Sequence, residues 1–368
     1  MSFKRLREAF NLDKQGFSEY FAIKNGDHLT VALAKEVILI TGCAGRVGRR
    51  VAQKFADPRF MVFGLDTVVP QIATSNFTYI PCDIANPIQV EKAFERLFLA
   101  SQNQLVSLIH LPNTAQEIAG TEHILQNAQK GKVEQFIFGS TILVYRPCGP
   151  GQKIKEHWPL GPTWDYPKAM LQAEEYLQSH HADMPLVLLR QGVGYDEFCH
   201  TFLLAREIQK IYEKQSSALF FPGNLNHANS YIHFDDVADA IWLTVQRRYS
   251  LPKEMSIIVS GPEVVTYAEL KKVIGLLCYG EGVEAWTIPK WAAKLAIGLS
   301  EKAPMLFETD LTDWIVDNID VNYTMDTGFS QEKLGWVPRH SFRQILPKMI
   351  ANLKENPAAW YRENGLTT

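Results

Sequence analysis

One eight-residue turn constrains this chain more than any other feature. Thr41-Gly42-Cys43-Ala44-Gly45-Arg46-Val47-Gly48 follows the β-branched run 37–40 and opens a helical pattern whose apolar positions are Val47, Val51, Ala52 and Phe55. Between a strand and a helix, each glycine has its own task. Gly42 permits the tight turn, Gly45 lets the backbone approach a pyrophosphate, and Gly48 lets helix and strand pack closely. Ala44, Arg46 and Val47 supply the rest of the cradle, where unpaired amides and the positive end of the helix dipole face an anion. Asp66 ends the next strand candidate, 18 residues past Gly48. That is near the spacing at which a carboxylate accepts hydrogen bonds from a ribose diol. Because it would also repel a 2′-phosphate, NAD is the expected cofactor and NADP is not. Arg46 lies inside the glycine turn and is no obvious 2′-phosphate clamp.

The turn belongs to a longer alternation. Strand candidates at 37–40, 61–65, 77–80, 106–111, 136–139 and 186–190 are separated by amphipathic helical patterns, such as Val90, Ala93, Phe94 and Leu97. Strict alternation predicts an α/β fold, a Rossmann-type doubly wound parallel sheet of six or seven strands with ligands at the carboxyl ends. Asp83 and Ile84, after the third strand, are placed near the adenine, and Leu111 ends the fourth. Past Arg190 the regularity fades into a smaller C-terminal substrate lobe that borrows the sheet's edge. The expected organisation is an N-terminal extension (1–35), an NAD-binding domain (36–190), a substrate lobe (191–350) and a tail (351–368). In the extension, Phe3, Leu6 and Phe10 suit one face of a short helix, and Asn25-Gly26 suits a hairpin turn between two β-rich runs.

Composition narrows the function classes. The chain has 368 residues with 37 basic and 40 acidic side chains, and no basic run stands out. Nucleic acid is therefore not an expected partner. No apolar stretch reaches the roughly 20 residues of a membrane span, and the first residues carry charges rather than a signal core. Five scattered cysteines without a Cys-x-x-Cys pair suit neither a disulfide framework nor a zinc site, and no metal is expected. The reading is a cytoplasmic protein with a small-molecule substrate.

Beyond the glycines, the motifs run in register. Asp83-Ile84 is followed by Ile109-His110-Leu111, Gly120-Thr121, Phe136-Ile137-Phe138-Gly139-Ser140-Thr141 and Val144-Tyr145. Then come Glu156 to Pro159, Tyr166, Glu174, Leu189-Arg190, the stretch from Ser230 to Ala238, and Leu334 to Arg339. Over residues 36–350 this order resembles the extended short-chain dehydrogenase/reductase family, the NAD-dependent epimerase/dehydratase group. The resemblance implies Tyr166 as acid/base against the nicotinamide and Thr141 as the hydroxyl that holds the substrate oxygen. It also implies a homodimer built on a four-helix interface. The face carrying Met170, Leu171 and Leu177 suits either that interface or ordinary core.

The departure from the family pattern is Met170. The family's lysine follows its tyrosine by four residues, one helical turn on, and here that position holds a thioether with no charge and no donor. A free phenol titrates near 10, so only about 0.1% is ionised at pH 7. An ammonium about 4 Å away would contribute up to roughly 4 kcal/mol at an effective dielectric of 20. Restoring it by Met170→Lys is expected to raise a dehydrogenase rate. Lys168 sits about 200° around the helix from Tyr166 and points away. Two other Tyr-x-x-x-Lys strings, Tyr20–Lys24 and Tyr267–Lys271, are expected by chance in a chain with 13 tyrosines. Glu117 stands where the family often has asparagine and suits either an alternative base or solvent. His110 and His233 read as packed, structural histidines. Two functions remain open: an NAD-dependent oxidoreductase, epimerase or dehydratase acting at a secondary alcohol or ketone, and a catalytically impaired NAD(H)-binding sensor or scaffold.

Overall fold

The computed structural model describes residues 20–25, 28–33, 35–102, 104–302 and 313–366. A backbone hairpin comes first: β1 (Tyr20–Asn25) pairs antiparallel with β2 (His28–Leu33), and Asn25 faces His28. The turn residue Gly26 and the candidate helix of Phe3, Leu6 and Phe10 lie outside the described residues.

The main body is a seven-stranded sheet. In chain order its strands are β3 (Glu36–Thr41), β4 (Phe60–Asp66), β5 (Phe77–Pro81), β6 (Ser107–His110), β7 (Gln135–Thr141), β8 (Leu186–Gln191) and β12 (Glu254–Val259). Every pairing is parallel, and the spatial order is β12-β8-β7-β6-β3-β4-β5. The chain works outward from β3 on one side and then returns to β6 on the other. The crevice between the ends of β3 and β6 is therefore the switch point at which such sheets bind ligands. β3 is buried along both faces, as a sheet covered by helices on each side requires.

Two apolar layers cover the sheet. One face packs the helices Pro87–Ala100, Thr121–Lys130 and Asp165–His180 through residues such as Phe94, Leu125, Met170 and Leu177. The other packs Arg46–Lys54 and Phe234–Gln246 through Val51, Phe55, Val237 and Ile241. Met170 and Leu177 thus lie in this chain's own core. The Asp165–His180 helix starts regularly, with the Lys168 amide donating to the Trp164 carbonyl, so Lys168 keeps its outward angle.

The second lobe has its own core, built from Phe202–Tyr212, Tyr267–Tyr279, Phe342–Glu355 and Pro357–Glu363 around Leu204, Ile208, Leu270, Phe342 and Trp360. β11 (Ala228–His233) lies between β9 (Val193–Tyr195) and β13 (Val264–Thr266) in a small sheet. β10 (Phe220–Pro222) pairs with β14 (Trp286–Ile288). Strands of three residues carry no readable alternation, which is why regularity fades past Arg190. Among the described residues no helix is long and apolar enough to cross a membrane.

Candidate functional site

The glycine turn takes the shape its spacing predicted. Gly42 sits at φ +68°, and a Cβ there would lie 2.4 Å from the Leu111 carbonyl oxygen. A Cβ on Gly48 would lie 2.2 Å from the Gly42 carbonyl oxygen, so any side chain would push helix and strand apart. Gly45 precedes the helix without a side-chain cap, which leaves the first amides for an external anion. Asp66 closes the turn from β4. Its Oδ2 accepts from the Ala44 amide at 2.9 Å and its Oδ1 from the Val68 amide at 3.0 Å.

Above this turn lies a cleft of about 500 Å³ lined by Gly42, Ala44, Gly45, Arg46, Val47, Gly48, Leu111 and Tyr166. The shape fits a dinucleotide with its pyrophosphate on the glycine backbone; Asp66, whose oxygens hold the Ala44 and Val68 amides, lies behind the turn and is not among the lining residues. Asp83 and Ile84 are not among the lining residues. Asp83 turns its Oδ1 to the Ala85 amide, and the Ile84 side chain is buried in the sheet's core. Arg46 donates to the Glu363 carbonyl at 3.1 Å, so its guanidinium faces the C-terminal helix. For Asp66→Ala, loss of the carboxylate expected from its spacing to accept the ribose diol should weaken NAD at least tenfold and NADP clearly less. Fluorescence titration of both reduced cofactors checks this, and equal weakening would remove Asp66 from the ribose site.

A second chamber, of about 490 Å³, opens between the main body and the second lobe. Tyr166, Asn113 and Thr201 line both spaces, so the phenol stands where they meet. Burial alone raises its pKa above the ordinary tyrosine value, with no charged group acting on it. Met170 explains why. Its side chain is 1% exposed, packed in the core, and lines neither space. Lys168 points outward to Asp165 at 3.9 Å. For Met170→Lys, the amine would start from that core. The substitution is expected to lower the unfolding free energy by about 1–3 kcal/mol, read from urea denaturation. Any gain in rate is then to be weighed against that cost.

Other candidate bases are engaged. Glu117 Oε2 accepts from the amides of Asn113 (2.7 Å) and Thr114 (3.0 Å) while the Thr114 hydroxyl accepts from the Glu117 amide, a capping box that opens a short helix. His110 is fully buried, its ring held between Thr41 (2.6 Å) and Thr121 (3.0 Å), and burial pulls its pKa down to about 3. His233 accepts from the Asp235 amide and stacks on His340, while Asp236 holds the Arg339 and His340 amides. Tyr267 and Lys271 form no dyad. The tyrosine hydroxyl donates to the Val321 carbonyl, and the ammonium binds Glu207 and the Ala218 carbonyl. Thr141 is buried at the end of β7 and is not among the residues lining either space; its Oγ1 accepts from the Leu143 amide at 3.3 Å, leaving its proton to donate.

Below the cleft lies a buried network. Arg190 holds Glu174 through three contacts of 2.6–3.2 Å and donates to the Tyr145 hydroxyl at 2.7 Å; Ser140, a cleft residue, donates to Glu174 as well. Asn113, Gln191, His200, Thr201 and Phe234 also line the cleft and were not read from the sequence. They come from four separate segments with no common spacing, and only Phe234 falls inside a stretch the sequence singled out.

Known proteins match this architecture along most of the chain. A dTDP-D-glucose 4,6-dehydratase of Bos taurus is 22% identical over 353 residues, covering 89% of each chain. Protein CapI of Staphylococcus aureus is 24% identical over 247 residues, covering 60% of this chain and 72% of CapI. Among solved structures, dTDP-glucose 4,6-dehydratase of Bacillus anthracis in complex with NAD superposes with a TM-score of 0.66 at 16% identity, covering 89% of this chain and 99% of that one. UDP-glucose 4-epimerase of Thermus thermophilus, also an NAD complex, superposes at 0.64 with 18% identity, covering 87% and 99%. With residues 38–259 matching its model, a span of more than half the chain, the protein belongs to the NAD dependent epimerase/dehydratase family.

Proposed function

We propose that this protein carries out NAD-dependent chemistry at a secondary alcohol or ketone of a small molecule seated in the chamber beyond Tyr166. The observation that carries this reading is the position of Tyr166 on the shared wall of the two spaces. NAD supplies the hydride donor or acceptor when it is bound. Tyr166 handles the proton on the substrate oxygen, and Thr141, whose Oγ1 accepts from the Leu143 amide, keeps its proton to donate toward that oxygen. Without a neighbouring ammonium the phenol stays neutral near pH 7 and serves as a proton donor. Reduction of a ketone is then the favoured direction at neutral pH, while oxidation waits on the rare tyrosinate.

Met170 supports a second reading, a dinucleotide-binding protein that senses or scaffolds rather than turns over. The test runs in two stages. NADH titrated into pure protein is expected to show saturable fluorescence enhancement at one site per chain; no saturable binding would end both readings. NADH consumption at 340 nm is then followed against a panel of ketones at pH 7. Turnover supports the enzyme, and saturable binding with no turnover across the panel supports the sensor.

A further inference from the structure

The chamber carries charge that Tyr166 chemistry does not use. Its wall is mostly aliphatic and aromatic, with Leu143, Trp164, Phe202 and Phe221 among the lining residues. Into this surface the helix Phe202–Tyr212 sets Lys210, and the helix Tyr267–Tyr279 sets Lys271. Glu207 is the single carboxylate among the lining residues, and Lys271 binds it while also donating to the Ala218 carbonyl. Lys210 differs. It is 9% exposed, lines the chamber together with Arg206, and makes no direct hydrogen bond or ion pair among the described residues, the Glu207 carboxylate acting on it only at longer range.

A buried ammonium without a direct partner is costly, and burial here pulls its pKa below the ordinary lysine value, with Glu207 opposing that pull and Arg206 and Lys271 adding to it. Were this position only structural, an apolar residue would serve better, since replacing buried charge by well-packed hydrophobic groups is often neutral or stabilising. An anionic ligand group offsets the cost by supplying a direct counter-charge.

We infer that the chamber takes a largely apolar substrate bearing one anionic head group, with Lys210 as the residue that binds the head and the aromatic wall holding the body. This rests on the chamber being the substrate site of the proposed function. It adds which class of alcohol or ketone is accepted: an apolar carboxylate or phosphate monoester rather than a neutral molecule.

The test uses the full chain loaded with NADH and calorimetric titration of three probes: 4-phenylbutyrate, the matched neutral 4-phenylbutan-1-ol, and uridine diphosphate. The acid is expected to bind at least tenfold tighter than the alcohol, about 1.4 kcal/mol. In Lys210→Met, an apolar replacement of similar length, the acid should fall to the alcohol's affinity while the alcohol stays within threefold. Equal binding of acid and alcohol by the wild type overturns the inference, whether or not the variant folds. So does saturable binding of neither, tighter binding of uridine diphosphate than of the acid, or an acid preference that survives Lys210→Met. Turnover does not enter these titrations, so the head-group preference can fail while the Tyr166 chemistry stands. Loss of NADH binding strikes the proposed function instead.

Discussion

Removal of the Glu174 carboxylate is expected to destabilise this protein more than any other single truncation near the site. Glu174 is fully buried and Arg190 nearly so, and the guanidinium meets the carboxylate through two nitrogens. The pair binds Ser140 at the end of β7 to the helix that carries Tyr166. In Glu174→Ala the guanidinium stays buried without its counter-charge, which costs about 3–5 kcal/mol. The measurement is the urea midpoint at unchanged slope. The double replacement Glu174→Leu with Arg190→Met should recover much of the loss, because it removes the orphaned charge together with its partner. Glu174→Ala unfolding within 1 kcal/mol of the wild type would mean that water reaches Arg190 and that the network is not the buried clamp its geometry indicates.

The second large effect concerns chemistry alone. Tyr166→Phe deletes one oxygen at the junction of the two spaces and leaves the ring, so NADH affinity should stay within threefold. Turnover of any accepted ketone should fall by about 10²–10⁴, the usual contribution of a positioned proton donor or base. The pH dependence supplies the sign. Burial raises the Tyr166 pKa above 10, so the tyrosinate fraction climbs about tenfold per pH unit between 7 and 9. Oxidation, which needs that form, should climb with it in the wild type. In Tyr166→Phe the slope should vanish. A slope that persists would mean that another group takes the proton and that Tyr166 is not the acid/base.

The asymmetry between these predictions follows from Met170. A family tyrosine beside a lysine is tuned for both directions near neutrality, whereas a buried phenol with no cation is a donor first. Here one residue type changes the expected balance of the reaction without changing the fold, because a thioether packs in the core where an ammonium would need a partner.

The two lobes differed in how readable they were. The seven sheet strands lie where hydrophobic runs and breakers placed them, apart from β12, which reaches the sheet's edge from inside the second lobe. Parallel strands buried on both faces are long apolar runs, and a strand–turn–helix glycine turn has few stable alternatives. The second lobe's three-residue strands and its C-terminal helices are set by contacts between distant segments, as when Asn364 closes on Phe198 and His200.

By itself the sequence determined the dinucleotide cradle, the doubly wound sheet and the absence of the family's lysine, all of which depend on neighbours within a few residues or on simple periodicity. Only the tertiary structure decided that Met170 belongs to the core, that Glu117 is spent as a helix cap, that Tyr166 stands between two spaces, and that Lys210 lines a chamber with no direct ion-pair partner. Those facts concern which surfaces meet after the chain has crossed its own sheet, and burial and charge pairing at such meetings leave no spacing for a linear reading to detect.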